Sequence, residues 1–207
     1  MKAALNSEQG LAEIIRWLST APRPAMIAFS GMTCSGKSTL ARKLKELLGD
    51  EAEILPLDDF FREHTDPLLP IDGNGKMIFD LPESYDGDGF KESAKLLISG
   101  SSVSLAHYHK PTMQKIPDED RRLEPKPVII PEGLFAIEFL KHFNVAILFV
   151  FVKADPEICL CRRIDRDAEK HNVTPKIIRK FFEQRIMPYM DILMLQEEDA
   201  DIVISTD

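Results

Sequence analysis

Five short apolar runs recur along the chain: AMIAFSG (25–31), AEILPL (52–57), PVIIPEG (127–133), NVAILFVFV (144–152) and ADIVIST (200–206). Three of them are apolar at successive positions, the pattern of parallel strands covered on both faces. Most are separated by stretches whose apolar residues fall three and four apart. STLARKLKELLG, residues 38–49, has that helical spacing and stops at a glycine. Ser7 to Thr20 carries Leu11, Ile14, Ile15 and Leu18 at the same spacing and runs into APRP, which predicts an N-terminal helix and linker over residues 1–24. Strand alternating with helix predicts an α/β three-layer sandwich: a mostly parallel sheet with helices on both faces.

The pattern breaks between residues 62 and 122. Proline, glycine and aspartate become frequent there, with one helix predicted near Phe90 to Ile98 and one strand, SVSLAHYH (102–109). An irregular insertion of this length is where a substrate would be selected. No repeat or low-complexity tract occurs, and 207 residues make one domain with a substantial core.

The first apolar run leads into GMTCSGKST, residues 31–39. Gly31, Gly36, Lys37 and Ser38 satisfy G-x-x-x-x-G-K-[ST], the phosphate-binding loop, with the strand before it and the helix after it that the motif requires. The glycines let backbone amides curl around an anion, the helix start adds partial positive charge, and Lys37 reaches the outer phosphates. Ser38 would bind Mg2+ through its hydroxyl. Thr33, Cys34, Ser35 and Thr39 complete the expected nucleotide-binding set.

Three further stretches carry candidate chemistry. LPLDDFF puts Asp58 and Asp59 at the carboxyl end of the second run, the edge where open parallel sheets bind ligands, so a carboxylate there could take the proton of an attacking hydroxyl. The competing reading is a cap on a short helix carrying Phe60 and Phe61. PVIIPEG puts Glu132 at a strand tip, placed to order magnesium or its water shell. CLCRRIDRD sets Arg162 and Arg163 within one helical turn of Arg166, so like charges share a face. Either an anionic ligand or the nearby Asp165, Asp167 and Glu169 would relieve that repulsion. The functional reading is a lid, residues 155–173, whose arginines stabilise a transferring phosphoryl group.

Composition narrows the partners. A formal charge of −8 disfavours nucleic acid. Three cysteines without framework spacing suggest a reducing compartment; Cys159 and Cys161 read as packed thiols rather than zinc ligands. No apolar run reaches signal-peptide or membrane-span length, which predicts a cytoplasmic protein. The N-terminal helix serves either as packing or as a surface for a homo-oligomer. His107 and His109 share one face of the insertion strand, lining a pocket or facing solvent, while Tyr108 points the other way into core or substrate.

Taken in order, GMTCSGKST, LDDFF, FDLPESYD, VIIPEGLFAI, LFVFVKADPEICLCRRIDRD and DADIVIST resemble the uridine kinase-like group of P-loop kinases, which includes nicotinamide riboside kinases, pantothenate kinase and phosphoribulokinase. The resemblance spans Met26 to Thr206. It implies an ATP- and Mg2+-dependent kinase acting on a hydroxyl of a small metabolite. It also implies Asp58 as general base, Ser38 and Glu132 at the metal, Arg163 and Arg166 in the lid, and Asp80 holding the acceptor's hydroxyls. Tyr108 and Arg163 join the acceptor set. Two positions depart from the group's nucleoside kinases: Met113 and Lys115 follow Tyr108 where a histidine and an arginine help hold the pyrimidine, and His171 to Val173 replace an arginine-glycine-arginine.

Other classes fit less well. A nucleoside monophosphate kinase would need arginines between Arg62 and Arg121 to grip the acceptor's phosphate, and that stretch has none. VKAD, at 152–155, lacks the asparagine of a guanine-nucleotide switch, so Asp155 reads as a helix N-cap before Pro156. A non-catalytic nucleotide-binding module would have no use for Asp58.

Overall fold

The computed structural model describes residues 3–118, 121–171 and 173–207. Helix α1 (Ser7–Leu18) ends at the last position of its apolar spacing, two residues short of Thr20, and Ser19 and Thr20 donate their hydroxyls to the Arg16 and Trp17 carbonyls. Asn6 caps it: its side chain accepts from the Gln9 amide at 2.9 Å, and the Gln9 side chain accepts from the Asn6 amide at 3.1 Å.

β1 (Ala25–Gly31) and α2 (Lys37–Leu48) follow, joined by the phosphate-binding loop, and α2 ends at Gly49 with φ 57°. β2 (Ala52–Pro56) leads into a 3-10 turn, Leu57–Phe60. The insertion contains α3 (Gly87–Ile98), capped by Asp86, then β3 (Val103–Ser104), β4 (His107–His109), β5 (Gln114–Ile116) and β6 (Arg122–Leu123). The single strand expected over 102–109 is therefore two short ones: β3 pairs with β6 and β4 with β5, in separate antiparallel ribbons. β7 (Val128–Glu132), α4 (Ala136–Leu140), β8 (Ala146–Lys153) and α5 (Pro156–His171) return the chain to the main sheet. After α6 (Pro175–Phe181), a π-turn Phe182–Ile186, α7 (Met190–Met194) and α8 (Gln196–Asp199), β9 (Ile202–Ser205) closes it.

The main sheet has order β2-β7-β1-β8-β9, and every pairing is parallel. Successive residues of β1 point to opposite faces, as a strand requires. Met26 and Ala28 join a core with Phe90, Phe135 and Leu140 from α3 and the α4 region, while Ala25, Ile27 and Phe29 join one with Leu11, Ile14 and Leu44 from α1 and α2. Fully burying a side chain such as Phe29 contributes about 1.5–3 kcal/mol. The all-apolar runs are thus the price of a sheet buried on both sides. The Leu5 amide donates to the Val203 carbonyl at 2.9 Å and its carbonyl accepts from the Ser205 amide at 2.8 Å, so the N-terminal segment extends the β9 edge.

Of the two free cysteines on α5 only Cys159 is packed; Cys161, two residues along, is exposed, because the helix turns it away from the core. Burial pushes the Cys159 thiol up to about 12.

Candidate active site

The chain leaves β1 at the centre of the sheet, beside the point where strand order reverses, and the phosphate-binding loop sits at that carboxyl edge. Gly31 has φ 150°, and a Cβ on it would lie 2.1 Å from the Val152 carbonyl oxygen, so only glycine allows β8 this close. Gly36 has φ 99° and Cys34 φ 60°, the left-handed backbone that wraps the loop. The Thr206 hydroxyl donates to the Ser35 carbonyl at 2.7 Å and fastens the loop to the chain beyond β9. Lys37 Nζ lies 3.4 Å from the Met32 carbonyl, curled over its own loop.

A cavity of about 910 Å³ opens above this loop. Thr33, Cys34, Gly36, Lys37, Ser38 and Thr39 line its floor; Gly31 and Ser35 lie buried beneath and do not line it. The Ser35 hydroxyl has no hydrogen-bond partner among the described residues. Asp58 and Glu132 come from neighbouring strand ends, with Glu132 in register with Phe29 and Pro56. The Ser38 hydroxyl donates to Glu132 Oε2 at 2.9 Å. Burial pushes the Glu132 carboxyl up against the opposing pull of Lys37, and the charge of Asp58 adds to the rise.

Asp58 and Asp59, adjacent in sequence, diverge completely. Asp58 lines the cavity, half-exposed, and its Oδ2 accepts from Lys110 Nζ at 2.6 Å. Burial would raise its carboxyl, but the nearby Lys110, Lys37 and Arg166 charges together hold it below its ordinary value. Asp59 points into the protein, ion-paired with Arg121 and accepting from the Tyr108 amide at 3.4 Å. Neither caps the turn.

Phe61, after the Leu57–Phe60 turn, and Phe79, Asp80, Tyr108, Lys110 and Met113 of the insertion close the opposite wall. Burial raises the Asp80 carboxyl to about 6 despite the cations around it. The Tyr108 hydroxyl is buried without a hydrogen-bond partner among the described residues, and desolvation lifts it to about 12. His107 and His109 do not line the cavity; His107 Nδ1 sits 3.0 Å from Arg121.

α5 forms the third wall, begun by Asp155, whose side chain accepts from the Glu157 amide at 2.8 Å. Arg163 and Arg166 both line the cavity and share Asp167, at 3.2 and 2.7 Å from their Nε atoms. The expected like-charge repulsion is therefore partly relieved within the helix. Arg163 also reaches the Thr33 hydroxyl at 3.3 Å and lies over the Phe181 ring, 5.2 Å from its centroid. Arg162 turns to Thr206, donating to its hydroxyl at 2.9 Å and its carbonyl at 2.5 Å. The departure at 171–173 includes Asn172, outside the described residues.

Sequence reasoning missed Lys110, Arg121 and Gly133. A Cβ on Gly133 would lie 2.3 Å from Leu57 Cβ, so this glycine lets the end of β7 press against the turn that carries Asp58. The glycine in PVIIPEG was legible; its contact partner, across the sheet, was not.

A parallel sheet with this loop, two strand-end carboxylates and an arginine-bearing helix around one cavity defines a P-loop kinase. The chain belongs to the phosphoribulokinase/uridine kinase family, whose model matches residues 26–206. It is 27% identical over 185 residues to a uridine kinase of Klebsiella pneumoniae, covering 86% of this chain and 85% of that one. It is also 27% identical over 202 residues to uridine-cytidine kinase 2-B of Danio rerio, covering 88% and 77%. A solved chain from Silicibacter sp. TM1040, provisionally described as a fructose transport system kinase, superposes with TM-score 0.69 at 19% identity over 98% of both chains, a likeness of fold. The protein is a small-molecule kinase, an ATP-using phosphotransferase. Among the described residues no helix is long and apolar enough to cross a membrane.

Proposed function

We propose that the protein transfers the γ-phosphate of ATP, with Mg2+, to an alcohol of a small metabolite of the nucleoside or riboside kind, with Asp58 as general base. The observation that carries this reading is that Asp58 and the Lys37–Ser38 start of α2 line one cavity of about 910 Å³. The loop amides and Lys37 hold the β- and γ-phosphates. Arg163 and Arg166 face the same space and neutralise charge on the phosphoryl group as it moves. Asp80 offers a carboxylate to the acceptor and Tyr108 forms the wall beside it, while the acceptor's own hydroxyl gives its proton to Asp58.

The donor set suits magnesium. Ser38 and Glu132 already lie in contact, and no cluster of three or more His, Cys, Asp or Glu ligands exists among the described residues. A hydroxyl, one carboxylate, waters and phosphate oxygens form the shell this ion prefers. When bound, it would offset charge on the phosphates.

The test is Asp58→Asn. ATP binding should survive, and phosphoryl transfer to an acceptor found by screening nucleosides, ribosides and hydroxy acids should fall by about two to four orders of magnitude. Turnover near that of the unmodified protein removes Asp58 as the base.

A further inference from the structure

We propose that Lys110 determines whether the phosphoryl group goes to the acceptor or to water, by occupying Asp58 until an acceptor arrives. This rests on Asp58 being the base.

Lys110 follows β4 in the insertion, on the turn to β5. Its ammonium lies 2.6 Å from Asp58 Oδ2 and 5.8 Å from the centre of the Phe61 ring, so it stands between the base and the aromatic wall where the acceptor binds. A hydroxyl approaching Asp58 from that side must share the carboxylate with Lys110 or move it. The lysine is free to move: its side chain is 64% exposed, and the turn it belongs to is tied down elsewhere, by the His64 amide donating to the Met113 carbonyl at 3.0 Å. Asp59, by contrast, is clamped by Arg121 and cannot substitute as base.

In hydrolysis, a water oxygen would bond to the γ-phosphorus, the bond to the bridging oxygen of ADP would break, and the water proton would go to Asp58. Water is small, mobile and without contacts to the insertion, so it gains nothing that would dislodge the ammonium. An acceptor held by Asp80 and seated against Tyr108 brings its hydroxyl in with binding contacts already made, and the solvent-exposed ion pair yields to it. Lys110 thus selects against water without hindering a bound alcohol.

The experiment compares the unmodified protein, Lys110→Met and Lys110→Arg for ATP hydrolysis without acceptor and for ADP formation with saturating acceptor. Lys110→Met should raise acceptor-free hydrolysis about two- to fivefold, the population ratio an exposed ion pair sustains, and leave ATP affinity unchanged. Lys110→Arg, which can pair with Asp58 again, should return hydrolysis to the original level. Lys110→Met combined with Asp58→Asn should show no rise. Unchanged or lower hydrolysis in Lys110→Met, or a rise that persists when Asp58 is removed, overturns the proposal. If Asp58→Asn alone keeps its transfer rate, the base assignment fails instead, which separates the two readings.

Discussion

Asp80 stands in the cavity wall with its carboxyl raised to about 6 by burial, although Arg163, Lys37, Arg185 and Lys110 all pull it down. The folded protein holds this proton more tightly than the unfolded chain does, so stability falls as pH rises from about 4 to about 6 and stays reduced above that. Asp80→Asn removes the burden. Its melting temperature at pH 7 should rise by about 2–6 °C, corresponding to roughly 1–2 kcal/mol after allowing for partial solvent access. Below pH 4 the two proteins should melt together, and the acceptor KM of the variant should rise. Equal melting at pH 7 would show that Asp80 already has a partner. The position of this residue in FDLPESYD was legible from sequence, but its ionisation was not, because desolvation depends on the walls that other elements build around it.

At the scale of elements, the spacing of the two strand-end carboxylates depends on how closely β7 approaches the turn after β2. Gly133 follows Glu132 and meets Leu57, the residue before Asp58, so its missing side chain sets the spacing between the two carboxylates. Gly133→Ala should push the 57–60 turn away, lowering kcat at least tenfold while ATP affinity changes little, measured by steady-state kinetics and nucleotide titration. An unchanged kcat would mean the turn can shift without moving Asp58. The insertion is held similarly: Arg185, in the π-turn, pairs with Asp72 at 2.7 Å and donates to the Met77 carbonyl, tying the insertion to the helices after α5. Periodicity located α2, β1 and α3 to within a few residues. It read 102–109 as one strand because an alternating pattern does not reveal where a ribbon changes partner.

For the whole molecule, the order β2-β7-β1-β8-β9 gathers residues 31–39, 58 and 132 at one edge, and α5 closes over them with Arg162 locked to Thr206. Nucleotide binding draws on several of these parts, so it should stabilise the fold as a unit. A non-hydrolysable ATP analogue with Mg2+ at about 100 times its Kd should add about 2.7 kcal/mol, or roughly 5–10 °C. Asp58→Asn should show the same shift and Lys37→Ala little of it; a full shift in Lys37→Ala would place the triphosphate elsewhere. The sequence by itself determined the sheet, the phosphate-binding loop and most of the candidate residues, because local periodicity and glycine geometry are written in neighbouring positions. Only the tertiary structure decided that Asp58 faces the cavity and Asp59 the interior, that Arg162 fastens its helix to Thr206 from the cavity wall it shares with Arg163 and Arg166, and that Lys110 meets Asp58. Those outcomes depend on contacts between residues far apart in the chain, whose distances and burial no local pattern contains.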